Sequence, residues 1–179
     1  MVRSLISLLF LLLPLSVYAQ GGNVFLGYSY LNANSPAGDR SNLNGWNGSL
    51  EGKIFPFVGI VADLSGHYGH QTIPTFCPVG TPCTPLNPST RQYTFVFGPR
   101  VSVSVGKIRP FAHYLIGAGH ISASGSGSDT SFAQTVGGGI DYKLIPFIAW
   151  RVQGDFVQTR FFDSKQNNFR LSTGIVLHF

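Results

Sequence analysis

The sequence predicts an all-β fold: an eight-stranded antiparallel up-and-down barrel that crosses a membrane and is preceded by a cleavable signal peptide. Three observations predict it: an alternating final strand that ends on an aromatic residue, an apolar N-terminal segment, and short and long connections that alternate along the chain. The composition agrees, since 22 glycines, 13% aromatic residues and only 11% charged residues are typical of many strands joined by tight turns.

The N-terminal segment has the features of a secretory signal. Arg3 precedes an apolar run from Leu5 to Leu13, and Val17-Tyr18-Ala19 supplies small residues at the offsets typical of signal-peptidase cleavage. The run is too short for a spanning helix, which needs roughly 20 apolar residues. We therefore expect a signal peptide at residues 1–19 and a barrel domain at 20–179, with an uncleaved membrane anchor as the alternative.

Length and charge limit the number of domains and the kinds of partner that the chain can have. The mature chain of about 160 residues suffices for one domain and is too short for two separate cores. The net charge of +5 arises from scattered residues and not from a basic run, so no nucleic-acid-binding patch is predicted.

Three copies of a short pattern mark the expected hairpin turns, because proline is tolerated where no ladder hydrogen bond is needed. The copies are Lys53-Ile54-Phe55-Pro56-Phe57, Lys107-Ile108-Arg109-Pro110-Phe111 and Lys143-Leu144-Ile145-Pro146-Phe147. Longer polar connections are expected near 32–43, 70–90, 123–130 and 162–168. The strands are then predicted at 23–31, 44–54, 57–69, 91–105, 111–122, 131–143, 147–161 and 168–179.

The two faces of each predicted strand differ in size as well as in polarity. In the fourth strand, Phe95 and Phe97 alternate with Thr94 and Arg100. Alternation alone would also suit a soluble, lipocalin-like barrel with an apolar interior. Eight strands enclose a lumen barely wide enough for side chains, however, so we expect the bulky face outside against lipid and the smaller polar face inside.

Charges inside such a barrel must pair, because an isolated ion in a low-dielectric interior is costly. Pro99 falls in mid-strand and has no donor for a closed sheet, so a bulge is expected there. Heights counted from the turns predict three lumen ion pairs: Asp63 with Arg100, Asp155 with Arg170, and Asp141 with Arg151.

Both cysteines, Cys77 and Cys83, lie in one proline-rich connection. An exported protein passes through an oxidising compartment, so we expect a disulfide that stiffens the loop at 70–90. A metal site is the alternative, which two cysteines without a nearby histidine pair support poorly.

The end of the chain carries a candidate assembly signal. Its polar, glycine, apolar and aromatic positions are Ser172, Gly174, Leu177 and Phe179, and they resemble the signal by which the barrel-assembly machinery recognises outer-membrane β-barrels. Further motifs lie along the strands. They are Phe25-Leu26-Gly27-Tyr28-Ser29-Tyr30, Asn44-Gly45-Trp46, Asp63-Leu64-Ser65-Gly66-His67-Tyr68, Phe97-Gly98-Pro99-Arg100, Pro110-Phe111-Ala112-His113 and Gly137-Gly138-Gly139-Ile140-Asp141.

Together these motifs resemble the OmpA-type eight-stranded outer-membrane β-barrel family, in particular its small single-domain porin-family members. The resemblance covers essentially the mature chain. It implies a location in the outer membrane, lipid as a partner, short periplasmic turns and long outer loops. It does not extend to the peptidoglycan-binding domain of full-length OmpA, so no envelope-tethering role is expected.

No catalytic constellation, cofactor site or metal site is predicted. His67 and Ser65 share an expected inward face, and His120 and Ser122 an expected outward face, but neither pair has a carboxylate to orient the ring. We therefore expect a non-enzymatic barrel with a packed polar lumen and surface loops that make contacts, including an unknown ligand at 70–90. The alternatives are a narrow channel for small or apolar solutes and, less favoured, a lipid-modifying enzyme.

Overall fold

The computed structural model describes residues 21–34, 40–70, 89–123, 127–161 and 165–179. The expected signal peptide at 1–19 and the expected disulfide between Cys77 and Cys83 lie outside the described residues. Within the described ranges, no helix is long and apolar enough to cross a membrane. The strands are β1 (Gly22–Asn34), β2 (Arg40–Phe55), β3 (Val58–His70), β4 (Ser89–Ser102), β5 (Ile108–Ala123), β6 (Gly127–Ile145), β7 (Ile148–Thr159) and β8 (Gln166–His178).

The eight strands form a closed antiparallel barrel in which neighbours in sequence are neighbours in space and β1 pairs with β8. The predicted barrel is therefore confirmed. At the β1–β8 seam, Gly27 lies opposite Gly174. A Cβ atom added to Gly174 would overlap the Gly27 Cα, so the absence of both side chains lets the two backbones approach closely.

The three short turns lie at one end of the barrel. Two of the repeated patterns form turns as predicted, at Pro56–Phe57 and at Pro146–Phe147. In the middle copy the prediction is wrong, because Val105 and Ile108 exchange backbone hydrogen bonds of 2.8 and 3.1 Å around a two-residue turn. Gly106 supplies the positive φ of 61° that such a hairpin favours, so β5 begins at Ile108 and not at 111.

The outer surface of the barrel is apolar along the strands. Leu26, Phe95 and Phe156 have 66%, 51% and 67% of their surface exposed. The polar side chains take the opposite face, and the six charges predicted for the lumen are all buried inside it: Asp63, Arg100, Asp141, Arg151, Asp155 and Arg170. This arrangement is the reverse of a water-soluble barrel and is typical of one whose outer face contacts lipid.

The lumen is less uniformly polar than the sequence suggested. Val61, Val96, Leu115 and Ala133 form one buried apolar cluster between β3 and β6. Two smaller clusters lie elsewhere, formed by Phe25, Ala149 and Val176 and by Leu31, Ala33 and Leu43. Apolar and bulky residues therefore also face inward, beside the polar network.

Pro99 does not produce the expected bulge. Its register with β3 is continuous, since Gly98, Pro99 and Arg100 pair in turn with Val61, Ile60 and Gly59. On the β5 side the ladder is interrupted at Gly98 and Pro99 and then resumes in the same register. The missing N–H is therefore accommodated by omitted pairing, without an extra residue in the strand.

Candidate functional site

The lumen holds one continuous network of charged and polar side chains. Every strand contributes to it, because each strand places at least one such residue on its inward face. The members that form ion pairs or bridge them are Asn23 (β1), Glu51 (β2), Asp63 (β3), Arg100 (β4), Arg109 and His113 (β5), Asp141 (β6), Arg151 and Asp155 (β7) and Arg170 (β8). The network therefore depends on closure of the whole barrel.

Arg170 connects two carboxylates across the lumen. Its Nε donates to Asp155 Oδ2 at 2.9 Å, and its Nη1 donates to Asp63 Oδ1 at 2.8 Å. Ser65 Oγ accepts from the same Nη1 at 3.0 Å. One guanidinium thus forms ion pairs with two fully buried carboxylates, and burial of such charges requires them to have partners.

His113 extends the network from Asp155 to Arg100. Its Nε2 lies 2.9 Å from Asp155 Oδ1, and its Nδ1 lies 3.2 Å from Arg100 Nη2. Because a guanidinium can only donate, Nδ1 must accept, and the ring proton is assigned to Nε2, which donates to the carboxylate. The histidine therefore serves as a neutral bridge between an anion and a cation.

Glu51 is the partner of Arg100, and the predicted pairing of Arg100 with Asp63 is wrong. Arg100 Nη1 lies 3.1 Å from Glu51 Oε2, and Arg109 Nη2 lies 2.7 Å from Glu51 Oε1. The strand register explains the error. Asp63 is level with Val96, whereas Arg100 is level with Gly59, four residues nearer the short turns.

Arg151 completes the network near the short turns. It grips Asp141 with Nε and Nη2, at 2.6 and 2.8 Å, while its Nη2 also reaches Asn23 Oδ1 at 3.4 Å. Asn23 in turn donates to Glu51 Oε2 at 2.8 Å, which joins this pair to the rest. The guanidinium also lies over the ring of Phe111 at 4.6 Å, a cation–π contact.

The structure brings Asp155 together with Arg170 and Asp141 together with Arg151, but the pairs predicted from the sequence did not include Glu51, Arg109 or His113. The alternation of the strands carried a signal for Glu51 and for His113. Glu51 shares the inward alternation of β2, and His113 that of β5. With Glu51 and Arg109 included, four carboxylates and four arginines form the ion pairs that the structure describes in the lumen.

The lumen also contains a serine–histidine contact. His67 Nε2 lies 2.9 Å from Ser29 Oγ, which lies 2.9 Å from Ser172 Oγ. Ser65 instead accepts from Arg170. No described side chain hydrogen-bonds His67 Nδ1, so the carboxylate that orients the base in a nucleophilic triad has no counterpart here. The arrangement is that of a buried polar contact.

The second histidine considered at the sequence level lies on the outer surface. His120 and Ser122 are both exposed there, and His120 Nδ1 lies 2.7 Å from Thr130 Oγ1. Among the described residues, no group of three or more histidine, cysteine, aspartate or glutamate side chains is placed to hold a metal ion.

The candidate assembly residues occupy different surfaces of β8 and its end. Ser172 faces the lumen, Gly174 lies at the β1–β8 seam and Leu177 faces outward. Phe179 exchanges backbone hydrogen bonds of 2.8 and 3.0 Å with Gly22. The terminal residue is thus held in the sheet by the first strand.

Comparison with solved structures identifies the architecture. Neisserial surface protein A superposes with a TM-score of 0.70 at 13% identity, covering 88% of this chain and 97% of that one. The fold is that of the eight-stranded outer-membrane β-barrels. No protein-family model matches the sequence, and no curated protein matches it.

Two further barrels show the same architecture. Ail of Yersinia pestis, solved with the heparin analogue sucrose octasulfate, gives a TM-score of 0.58 at 15% identity, over 88% of this chain and 98% of that one. The N-terminal barrel domain of Pseudomonas aeruginosa OprF gives 0.52 at 12% identity, over 88% of this chain and 97% of that one.

Proposed function

We propose that the chain is a non-enzymatic, integral outer-membrane protein of the OmpA-like porin family, exported by a signal peptide at residues 1–19. Its barrel anchors it in lipid, and its long connections make contacts at the cell surface. The observation that carries this proposal is the inside-out distribution of side chains, with ion-paired charges 0–11% exposed in the lumen and aromatic residues on the outer face. A bilayer is the solvent that such a surface requires.

Aromatic residues near both ends of the barrel support insertion in a bilayer. Tyr68 and Tyr93, near the long connections, are partly exposed and form a T-shaped pair with hydroxyl groups 3.0 Å apart. Phe55, Phe57 and Phe147 are exposed at the short turns. Amphipathic and aromatic side chains gather at the two interfaces of membrane barrels in this way.

Insertion is tested by cell fractionation and gel migration. The protein should partition with the outer membrane and migrate differently in SDS gels before and after boiling, because a folded lipid-embedded barrel resists SDS at room temperature. A mature chain that is monodisperse in buffer without any amphiphile would contradict the proposal.

The filled lumen favours an anchoring role over the alternative of a narrow channel. Arg100, Arg151 and Arg170 are 0% exposed and span the lumen between Phe111, Phe25 and the carboxylates. Single-channel recording in planar bilayers separates the two functions. We expect no steady openings, and regular unitary conductance would favour transport.

A lipid-modifying activity is the other alternative, and the buried contact between His67 and Ser29 gives it little support. Neither side chain reaches the lipid-facing surface, where a lipid substrate would lie. The mass spectrum of lipid A should therefore remain unchanged when the protein is overproduced. New acylation states in that spectrum would establish an enzyme.

Surface contact by the long connections is the remaining part of the proposal. We propose that the loop at 70–90, stiffened by a disulfide between Cys77 and Cys83, meets a ligand whose identity the sequence does not specify. The structure of Ail bound to a heparin analogue offers a precedent for ligand binding by this fold. Deletion of the loop should abolish surface adhesion while the barrel still shows heat-modifiable migration.

We propose further that Ser172, Gly174, Leu177 and Phe179 are read by the barrel-assembly machinery. The outward orientation of Leu177 and the exposed ring of Phe179 support this, because both are accessible from outside the barrel. Replacement of Phe179 with Ser should reduce the amount of folded protein in the outer membrane. Refolding of the purified variant in detergent should be affected less.

A further inference from the structure

A basic cavity opens at the short-turn end of the barrel. It has a volume of about 270 Å³, and its lining includes Lys53, Lys107, Lys143, Arg109 and His178. Asp141 is the acidic side chain of this lining, and it is already held by Arg151. We call the three lysines and the cavity between them the lysine mouth.

The three lysines carry positive charge beyond what the carboxylates of the lumen pair with. The four arginines of the network are matched by Glu51, Asp63, Asp141 and Asp155. Within the described ranges, no salt bridge involves Lys53, Lys107 or Lys143. Three positive charges therefore line the mouth with no described carboxylate within ion-pair distance, although Lys53 Nζ donates to the Pro56 carbonyl at 3.5 Å, and they would attract an anion that enters the mouth.

The backbone fixes the lysines around the rim. Lys107 and Lys143 are direct neighbours, since the Lys143 N–H donates to the Lys107 carbonyl at 2.8 Å. Lys53 stands on the inward face of β2, where its N–H donates to the Gly21 carbonyl at 3.2 Å. The three repeated turn patterns thus each deliver one lysine to the same opening.

An apolar collar surrounds the mouth. The segment after each of two lysines carries exposed aromatic side chains, with Phe55 63% and Phe147 69% exposed. These rings face outward, whereas the cavity side of the same rim is cationic. A phospholipid carries acyl chains, which match the apolar collar, next to a phosphate, which matches the lysines. The collar and the mouth together therefore fit one lipid better than a free ion.

We propose that the lysine mouth binds a phosphate group, supplied by an anionic phospholipid of the leaflet that surrounds the short turns. The phosphate lies among the lysines, and the acyl chains lie against the apolar collar. This inference rests on the proposed insertion in a membrane. It adds a specific lipid site at the end of the barrel opposite the long connections.

The site is tested with the full mature chain in octyl glucoside micelles, by following the backbone amide resonances of Gly106, Lys107 and Lys143 during titration. The probes are short-chain phosphatidylglycerol, short-chain phosphatidylcholine and inorganic phosphate. We expect phosphatidylglycerol to shift these resonances with saturation and phosphatidylcholine to leave them in place. The triple variant Lys53→Gln/Lys107→Gln/Lys143→Gln should bind on the order of 100-fold more weakly, because each lysine near an anionic lipid contributes about a fivefold factor.

A matched variant removes the same number of charges from the opposite mouth: Arg40→Gln/Arg160→Gln/Lys165→Gln. All three of these side chains are exposed near the long connections. This variant should bind phosphatidylglycerol as the original protein does. Equal weakening by the two triple variants, or equal binding of the two lipids, would overturn the proposal.

Competition with inorganic phosphate distinguishes a site for a lipid phosphate from a site for free phosphate. If it fails to displace phosphatidylglycerol, the lipid assignment stands. If it displaces the lipid at similar concentration, the phosphate site stands and the lipid assignment falls. Heat-modifiable migration of each variant separates this test from the membrane proposal: a barrel that keeps that behaviour but lacks the lipid preference refutes only the site.

Discussion

Arg170 and Asp155 meet across the β7–β8 pair, with Nε and Oδ2 2.9 Å apart and neither residue exposed. The same guanidinium holds Asp63 on the far side of the lumen. A single residue of β8 therefore forms ion pairs with carboxylates from two other strands.

Replacement of Arg170 with Met should destabilise the barrel strongly. Methionine retains much of the side-chain volume but leaves two buried carboxylates without their shared partner. Breaking a buried ion pair in this way costs about 3–5 kcal/mol of unfolding free energy. Urea unfolding in phosphatidylcholine vesicles, followed by the fluorescence of Trp46 and Trp150, measures it. The exposed Lys165→Met should change the value by no more than about 0.5 kcal/mol, and equal effects of the two would refute the role of Arg170.

A double-mutant cycle should identify Glu51 as the energetic partner of Arg100. The variants are Glu51→Gln, Arg100→Met and their combination, compared with the cycle of Asp63→Asn and Arg100→Met. Directly contacting groups couple by about 0.5–3 kcal/mol, so the first cycle should show the larger coupling. A larger coupling between Asp63 and Arg100 would mean that the strand register described here is wrong.

Gly174→Ala should impair closure of the barrel, because the added methyl group would overlap the backbone of β1 at Gly27. Gly52→Ala is a matched control, since a Cβ at Gly52 meets no atom within 4 Å. Overpacking of a close contact costs about 1–3 kcal/mol, enough to lower the folded fraction of a marginal barrel. The heat-modifiable fraction after refolding is the readout, and equal fractions for the two variants would count against a tight seam.

Phe95→Arg should destabilise the lipid-embedded protein, because this residue lies on the outer face of mid-strand β4, opposite Leu64 and Ala118. An arginine near the bilayer midplane costs about 2–4 kcal/mol, whereas one near an interface costs about 0–1 kcal/mol. Ser89→Arg supplies the interface position on the same face of β4. Unfolding in vesicles should separate the two variants, and a Phe95→Arg protein as stable as Ser89→Arg would place that face outside the hydrocarbon.

The alternation of residue size and polarity made the barrel and its inside-out character predictable. The ends of the strands were less predictable. Backbone groups alone form the ladder that pairs Asn34 with Arg40, so the sequence shows no apolar alternation there. The turn at Gly106 was misplaced for a related reason. Its position depends on one residue with positive φ, which competed with a nearby proline pattern.

The lumen pairs depended on register, which alternation does not encode. Pairs on neighbouring strands at similar heights, such as Asp141 with Arg151, follow from simple counting because these residues are directly opposite. Asp63 and Arg100 are also on neighbouring strands, but four residues separate their levels, and a longer side chain from β2 reaches Arg100 instead. Counting from turns cannot resolve such offsets when one turn is itself misplaced.

Because the charge network includes residues from all eight strands, its ion pairs are complete only when the barrel is fully assembled. An intermediate that lacks only its final strand would leave Asp63 without its cation and Asp155 with only His113 and Gln153 as hydrogen-bond partners among the described residues. Such a half-finished sheet would keep water in its cleft and resist burial in hydrocarbon. Pairing of β8 closes the sheet and also supplies the arginine that the buried carboxylates need. Only the closed barrel therefore has an interior whose charges are paired within the bilayer.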